Sequence, residues 1–289
     1  MDLHLGCERR VIFDFVNVIQ EQCTLNQALI QDRRNPRLSL LAASQTKDKE
    51  ALTQEGVTRV IRELQKSFSY VVCDSPAGIE SGARHAMYLA DEAVIVTNPE
   101  VSSCRDSDKM VGFISSKSRR AEMGEPPVRQ TLLVTRYDPV RAESNEMLTL
   151  GDIQELLGLE VLGVVPESKE VLTATNLGQP VIMTEGDDAA TAYKDAVDRF
   201  LGKKVELKFV QPKPVGLVSS GIVVSLYPKR WYERSGPSTR TIGVCRCASC
   251  AYVVLILPLV LLILTSPRRV GSARFMFTES GAKNVPNGR

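Results

Sequence analysis

The chain lacks a glycine-rich phosphate loop. Gly-x4-Gly-Lys-Ser/Thr occurs nowhere in its 289 residues, and the nearest text, Leu201-Gly202-Lys203-Lys204, ends a helical pattern without the hydroxyl that would meet Mg²⁺. Histidine is scarce as well. Cys245-x-Cys247-x2-Cys250 offers three of the four ligands a structural zinc wants, but His4 and His85 lie far away in sequence, so the spacing reads as chance. The first residues, Met1-Asp2-Leu3-His4-Leu5, have neither the charged nor the apolar region of a secretory signal, and are too short and acidic for a transit peptide. The seven cysteines form no disulfide framework, which fits a reducing compartment. Acid is missing from one end. Residues 209–289 carry 11 Lys and Arg against only Glu233 and Glu279, whereas residues 1–208 carry 25 against 32 acids. A balance of −7 followed by one of +9 marks a change of character near residue 208.

The most informative stretch is Tyr70-Val71-Val72-Cys73-Asp74-Ser75-Pro76-Ala77-Gly78-Ile79-Glu80. A short apolar run without alternation predicts a strand buried on both faces, as in a parallel sheet. An aspartate at its carboxyl end, followed by a glycine-bearing turn, suits a loop that meets a magnesium nucleotide. One carboxylate can hold Mg²⁺ through a water, because the ion keeps several waters. Gly78 lets backbone approach a phosphate where a Cβ would clash. The alternative is an aspartate that ends a strand or caps the next helix.

The rest of the core repeats the pattern. Arg10–Ile19 and a segment capped by Thr24 predict two short helices, and Leu38–Ala43 a strand. Val57, Val60, Ile61 and Leu64 define one buried helical face. Ala93–Thr97, Leu132–Thr135 and Val161–Val165 predict three more strands, each ending in proline, asparagine or charge. Helices are expected over Ser103–Arg120 and Leu150–Leu157. A last helix should bury Ala190, Tyr193, Val197, Phe200 and Leu201, with Gly202 just past its end. Such alternation predicts an α/β fold, a parallel sheet with helices on both faces and its ligands at the carboxyl ends of the strands.

Six segments together resemble the MinD family of ParA/MinD-type P-loop ATPases: Gly6–Arg10, Asp74–Glu80, Asn98–Ser103, Arg105–Asp108, Thr135–Tyr137 and Gly163–Glu167. The resemblance runs over residues 2–203. It implies an ATP-driven, membrane-associated switch in septum placement that uses ATP and Mg²⁺. Its members dimerise on ATP, attach to membrane and bind MinC-like and MinE-like partners. Carried over by motif, Asp74 is the catalytic, magnesium-side carboxylate, acting through water. Pro76 and Gly78 form the γ-phosphate loop, Glu100 faces the partner subunit's nucleotide, and Arg136 and Pro166 flank the adenine. Glu8, Arg105, Asp106 and Asp108 fall on the partner and dimer surface.

The resemblance also places the family's first strand, phosphate loop and first helix ahead of Met1. The chain is therefore expected to be an N-terminally incomplete P-loop NTPase domain over residues 1–208, without ATP hydrolysis and with a sheet short of a central strand. Residues 209–289 are expected to be a divergent basic tail. Its run Cys250–Leu264 has fifteen apolar residues including Pro258, short of the ~20 of a spanning helix, and Cys247–Thr265 comes closer. The tail has three readings: a membrane anchor over 247–265, a buried or interfacial segment, or a non-native end. Two rivals stand beside the division switch. One is a non-catalytic, membrane-tethered protein that binds MinC- and MinE-type partners. The other is a ParA-like partition ATPase, which the −7 of the core argues against, so no nucleic-acid partner is expected. The implied location is cytoplasm and membrane surface in a bacterium, or plastid or mitochondrion in a eukaryote.

Overall fold

Short apolar strands alternating with amphipathic helices build one sheet covered on both faces. The computed structural model describes residues 2–44, 52–75, 81–212, 252–255 and 260–265. Its strands are β1 (Leu29–Gln31), β2 (Leu38–Leu41), β3 (Tyr70–Ser75), β4 (Glu92–Thr97), β5 (Arg129–Tyr137), β6 (Glu160–Pro166), β7 (Tyr252–Leu255) and β8 (Val260–Thr265). They lie in the order β1-β2-β7-β3-β8-β4-β5-β6. β4, β5 and β6 run parallel to one another, and β2 and β3 are both parallel to β7. Two features depart from an all-parallel sheet. β1 pairs antiparallel with β2 at the edge, and β8 runs antiparallel to both β3 and β4.

Successive side chains on the strands enter different cores, which is what two helical layers require. On β5, Leu132 and Val134 join a cluster with Ile153 and Leu157 of α9 (Leu150–Leu157), whereas Leu133 joins Ala192 and Ala196 of α11 (Asp188–Phe200). A larger cluster gathers Val57, Val60, Ile61 and Leu64 of α4 (Gln54–Ser67) with Val71 and Cys73 of β3 and Ile95 of β4. That helical face is the one its spacing predicts. Thr53 caps α4 by accepting from the Gly56 N–H. A Cβ on Gly56 would stand 2.5 Å from Ile19, so α4 packs close against α2 (Phe15–Ile19).

Several boundaries differ from the sequence reading. Arg10–Ile19 is not one helix. Glu8–Arg10 forms a 3-10 turn, and α2 starts only at Phe15 because Asp14 makes a reciprocal capping box with Asn17. The helix expected over Ser103–Arg120 starts earlier, as α6 (Val101–Lys117). It stops at Ser118, whose extended backbone lets its hydroxyl cap α7 (Arg119–Glu122). On α11 the buried face is Ala189, Ala190, Ala192 and Ala196, while Val197 and Leu201 are about half exposed. Small residues win there because α11 lies directly on β6. A Cβ on Gly163 would meet the Ala196 Cβ at 2.8 Å. Gly202, with φ +87°, closes α11 in a Schellman motif: its N–H donates to Arg199 O, and the Lys203 N–H to Asp198 O. Beyond it, Arg199 donates to Val205 O and Glu206 O, Lys208 pairs with Asp195 at 2.7 Å, and Phe209 and Val210 are partly buried against the two cores, so packing continues just past residue 208.

Candidate functional site

The carboxyl ends of β3, β4, β5 and β6 lie along one edge, and three of them carry the polar residues expected to work. β4 ends at Thr97 and passes through Asn98-Pro99 to Glu100, the residue that precedes α6. A hydroxyl network fixes this turn. Ser103 Oγ lies 3.1 Å from Thr97 Oγ1 and accepts from the Asn98 N–H at 3.2 Å. Thr135 donates to Asn98 Oδ1 at 3.0 Å, tying the ends of β4 and β5 together. The register of β5 against β6 shifts between Val134 and Tyr137. Within that irregularity Arg136 takes φ 57°, a left-handed backbone that is costly for a residue with a Cβ. The distortion aims its guanidinium at Glu167, 3.5 Å away across the end of β6.

Glu167 is shared. Arg141 reaches it at 3.9 Å and Glu146 at 3.2 Å, so two guanidiniums and two carboxylates form a chain along the edge. Arg136 and Glu167 are both about half exposed or more, and such pairs orient side chains more than they stabilise a fold. Together with Asn98, Pro99, Glu100 and Met147, these four line a cavity of about 70 Å³.

Glu100 and Arg136 therefore come together, with Pro166 at the end of the adjoining strand. Asp74 does not line this cavity. It sits at the end of β3, and β8 lies between β3 and β4. Pro76 and Gly78 fall outside the described residues. Next to Asp74, burial pushes the Cys73 thiol up to about 12, and the Asp74 charge adds to the shift. A thiol held protonated in this way is a core residue, not a nucleophile. Arg105, Asp106 and Asp108 all occupy the exposed face of α6, where Asp106 pairs with Lys109 at 2.9 Å. Glu8 stands elsewhere, exposed in its 3-10 turn, beside Cys7, which packs with Ile30 and Leu40 of the β1–β2 edge. Glu167, Arg141 and Asn98 were not among the predicted site residues. The signal for them was the run of charge and proline closing each strand.

No family model matches the chain. Over 219 residues it is 53% identical to the septum site-determining protein MinD of Escherichia coli (strain K12), an alignment covering 75% of this chain and 81% of that protein. The chain belongs to the MinD family. Among solved structures, a chain of the MinC:MinD cell division protein complex of Aquifex aeolicus superposes with TM-score 0.63 at 32% identity, over 72% of this chain and 80% of that one. A Pyrococcus horikoshii MinD complexed with Mg-ADP superposes with TM-score 0.56 at 23% identity, over 71% and 81%, and so shares the fold.

For a MinD-family chain the slot between β3 and β4 is the telling one. A magnesium nucleotide needs backbone N–H groups at a helix N-terminus facing its phosphates, and room for its nucleoside. β8 fills the slot antiparallel, entering it at the carboxyl edge instead of leading from that edge into a helix. The cavity between β4, β5 and β6, about 70 Å³, falls well short of the ~300 Å³ at which small-molecule pockets begin. The described residues thus supply polar groups for the base side of such a site and one carboxylate for its metal side, but no phosphate cradle.

Proposed function

We propose that this protein acts in placement of a division site, through the partner-binding surface of its family and without turning over ATP. The observation that carries this reading is the 53% identity over 219 residues to a septum site-determining protein. The second half concerns residues 1–289 as they stand, which hold no Gly-x4-Gly-Lys-Ser/Thr loop. The exposed face of α6 with Arg105, Asp106 and Asp108 is the surface proposed for a MinC-like protein, and Glu8, which stands apart from it, is proposed as a separate partner contact; MinE-like partners and a membrane surface follow from the same family. The implied location is peripheral to a membrane, in a bacterial cytoplasm or in an organelle.

A second reading keeps the ATP-dependent, dimerising switch. It is favoured by Asp74 at the carboxyl end of the central strand and by Glu100 beside Arg136. In that reading Asp74 would hold Mg²⁺ through water, Pro76 and Gly78 would lie beside the phosphates, and Pro166 and Arg136 beside the base.

One preparation of the full chain separates the two. Binding to a purified MinC, such as that of Aquifex aeolicus, should be measurable and should weaken roughly tenfold or more in R105A/D106A/D108A, as loss of about 1.4 kcal/mol of contact gives. No magnesium-dependent ATP turnover should be seen. Turnover abolished by Asp74→Ala would replace the first reading with the second.

A further inference from the structure

We propose that the exposed face of α4 is a self-complementary contact surface, on which a second copy of this chain pairs antiparallel about the middle of the helix. α4 stands as a ridge between two grooves. One, of about 570 Å³, lies between α4, the end of α5 (Ser81–Tyr88) and α7. The other, of about 450 Å³, separates α4 from the segment around Glu21 and Thr24. A ridge with a groove beside it is the shape that a second such ridge fills.

The charges say which ridge. While Val57, Val60, Ile61 and Leu64 face the core, Glu55, Arg59, Arg62, Glu63 and Lys66 are exposed. On a helix of 3.6 residues per turn, Glu55, Arg59, Arg62 and Lys66 fall within about 60° of one another. Among the described residues, Glu55, Arg62, Glu63 and Lys66 enter no ion pair or side-chain hydrogen bond. Arg59 is already held, paired with Glu21 and donating to Ile19 O at 2.7 Å. Arg119, across the larger groove, forks onto Glu125 with both bonds at 2.8 Å. The face therefore carries both signs in balance, although residues 1–208 as a whole carry −7. A nucleic acid or an anionic lipid surface gains little from such a face. A copy of the same face, turned end for end, meets opposite signs.

A two-fold axis between Val60 and Ile61 gives that arrangement. It sets Glu55 opposite Lys66 of the second copy, and Lys66 opposite the second copy's Glu55, in the reciprocal manner of an isologous contact. The arginines that meet at the centre are balanced by Glu21 and Glu63 of each copy. Leu89 and Met123, the latter 65% exposed, line the larger groove and offer apolar surface to the stems of the second copy's Arg62 and Lys66. Neither Asp74 nor Glu100 lines this groove, so the contact is separate from a nucleotide-dependent dimer and independent of the functional reading above.

Sedimentation velocity on the full chain, in nucleotide-free buffer at low salt and up to about 0.1 mM protein, tests it. The unaltered protein should show a monomer–dimer equilibrium that weakens as salt is raised. Each exposed ion pair is worth up to about fivefold, and reversing one residue turns both symmetric pairs repulsive. Lys66→Glu and Glu55→Lys should therefore each weaken the dimer about tenfold or more. The combined variant E55K/K66E restores opposite signs across the axis and should recover most of the loss, which a merely structural role for either residue would not give. R105A/D106A/D108A, on α6, should leave the dimer intact. A protein that stays monomeric throughout overturns the proposal. So do single reversals that dimerise like the unaltered protein, a combined variant no better than the singles, or loss of the dimer in the α6 variant.

Discussion

The β4–β5–β6 region and the β2–β3 region are built from the same kinds of strand, yet they are held together in different ways. In the first, each strand pairs with the next one in the chain, and the helices between them close the core on both faces. In the second, β2 and β3 are neighbours in sequence but not in space, and a segment from residues 252–265 stands between and beside them. The first region can form early from contacts close in sequence. The second waits on pairings about 180 residues apart, and such long loops must close before they are rewarded.

The largest expected effects come from a matched pair of core truncations. Leu64 on α4 and Ile153 on α9 are both fully buried, one beneath each region. Leu64→Ala and Ile153→Ala should each cost about 2–5 kcal/mol, the range for opening a cavity in a packed core. Urea unfolding followed by far-ultraviolet and near-ultraviolet circular dichroism gives both values. The strands form one continuous sheet, so both variants should unfold in a single transition. A two-step curve for Leu64→Ala alone would show the β2–β3 region to be a separate cooperative unit.

The contact between α11 and β6 sharpens the other side of the comparison. Gly163 has the Ala196 Cβ and Leu133 Cδ1 at 2.8 and 3.0 Å from where its own Cβ would be. Gly163→Val should therefore cost about 1–3 kcal/mol by overpacking. The loss should be largely recovered by pairing it with Ala196→Gly, since neighbours that share a contact do not add. The check is the shift in urea midpoint of the single and double variants. No recovery would mean that the crowding lies with Leu133 instead of the helix.

The two regions also differ in how legible they were. α9 is read correctly from residue 150 to 157, and the strands ending at Thr97 and Pro166 from their apolar runs, because period and capping are local signals. The buried face of α4 came from spacing alone. What failed was set by partners out of local reach. α11 turned its alanines inward because Gly163 brings β6 close, although its larger residues gave the stronger periodic signal. Arg136 carries no mark of its left-handed backbone, which arises from a register shift with β6. The tail's apolar run is equally compatible with a helix or with strands by composition, and only its pairing partners decide between them. Among the described residues no helix is long and apolar enough to cross a membrane.

The smallest effect concerns a stitch across the two regions that owes nothing to the sheet. Arg34, just past β1, donates to Leu5 O at 2.9 Å and to Gly178 O at 3.2 Å, the latter beyond α10 (Lys169–Asn176), the helix that follows β6. Asp32 holds that guanidinium in place. It is buried, which by itself pushes its carboxyl up, but hydrogen bonds from the Arg34 side chain and from the Arg34 and Asn35 N–H groups outweigh burial and hold it below the usual carboxylate range. A folded-state pKa depressed in this way contributes stability above the unfolded value and loses it as pH falls through the folded one. The protein should therefore lose stability as pH drops through and below about 4, where a carboxylate ordinarily titrates. Asp32→Asn should lose part of its stability at pH 7 and show a smaller further loss on acidification. Urea midpoints at pH 7 and pH 3 for the two proteins measure both terms. Equal acid losses in both would remove Asp32 from the stitch and leave Arg34 held by its two carbonyl acceptors alone.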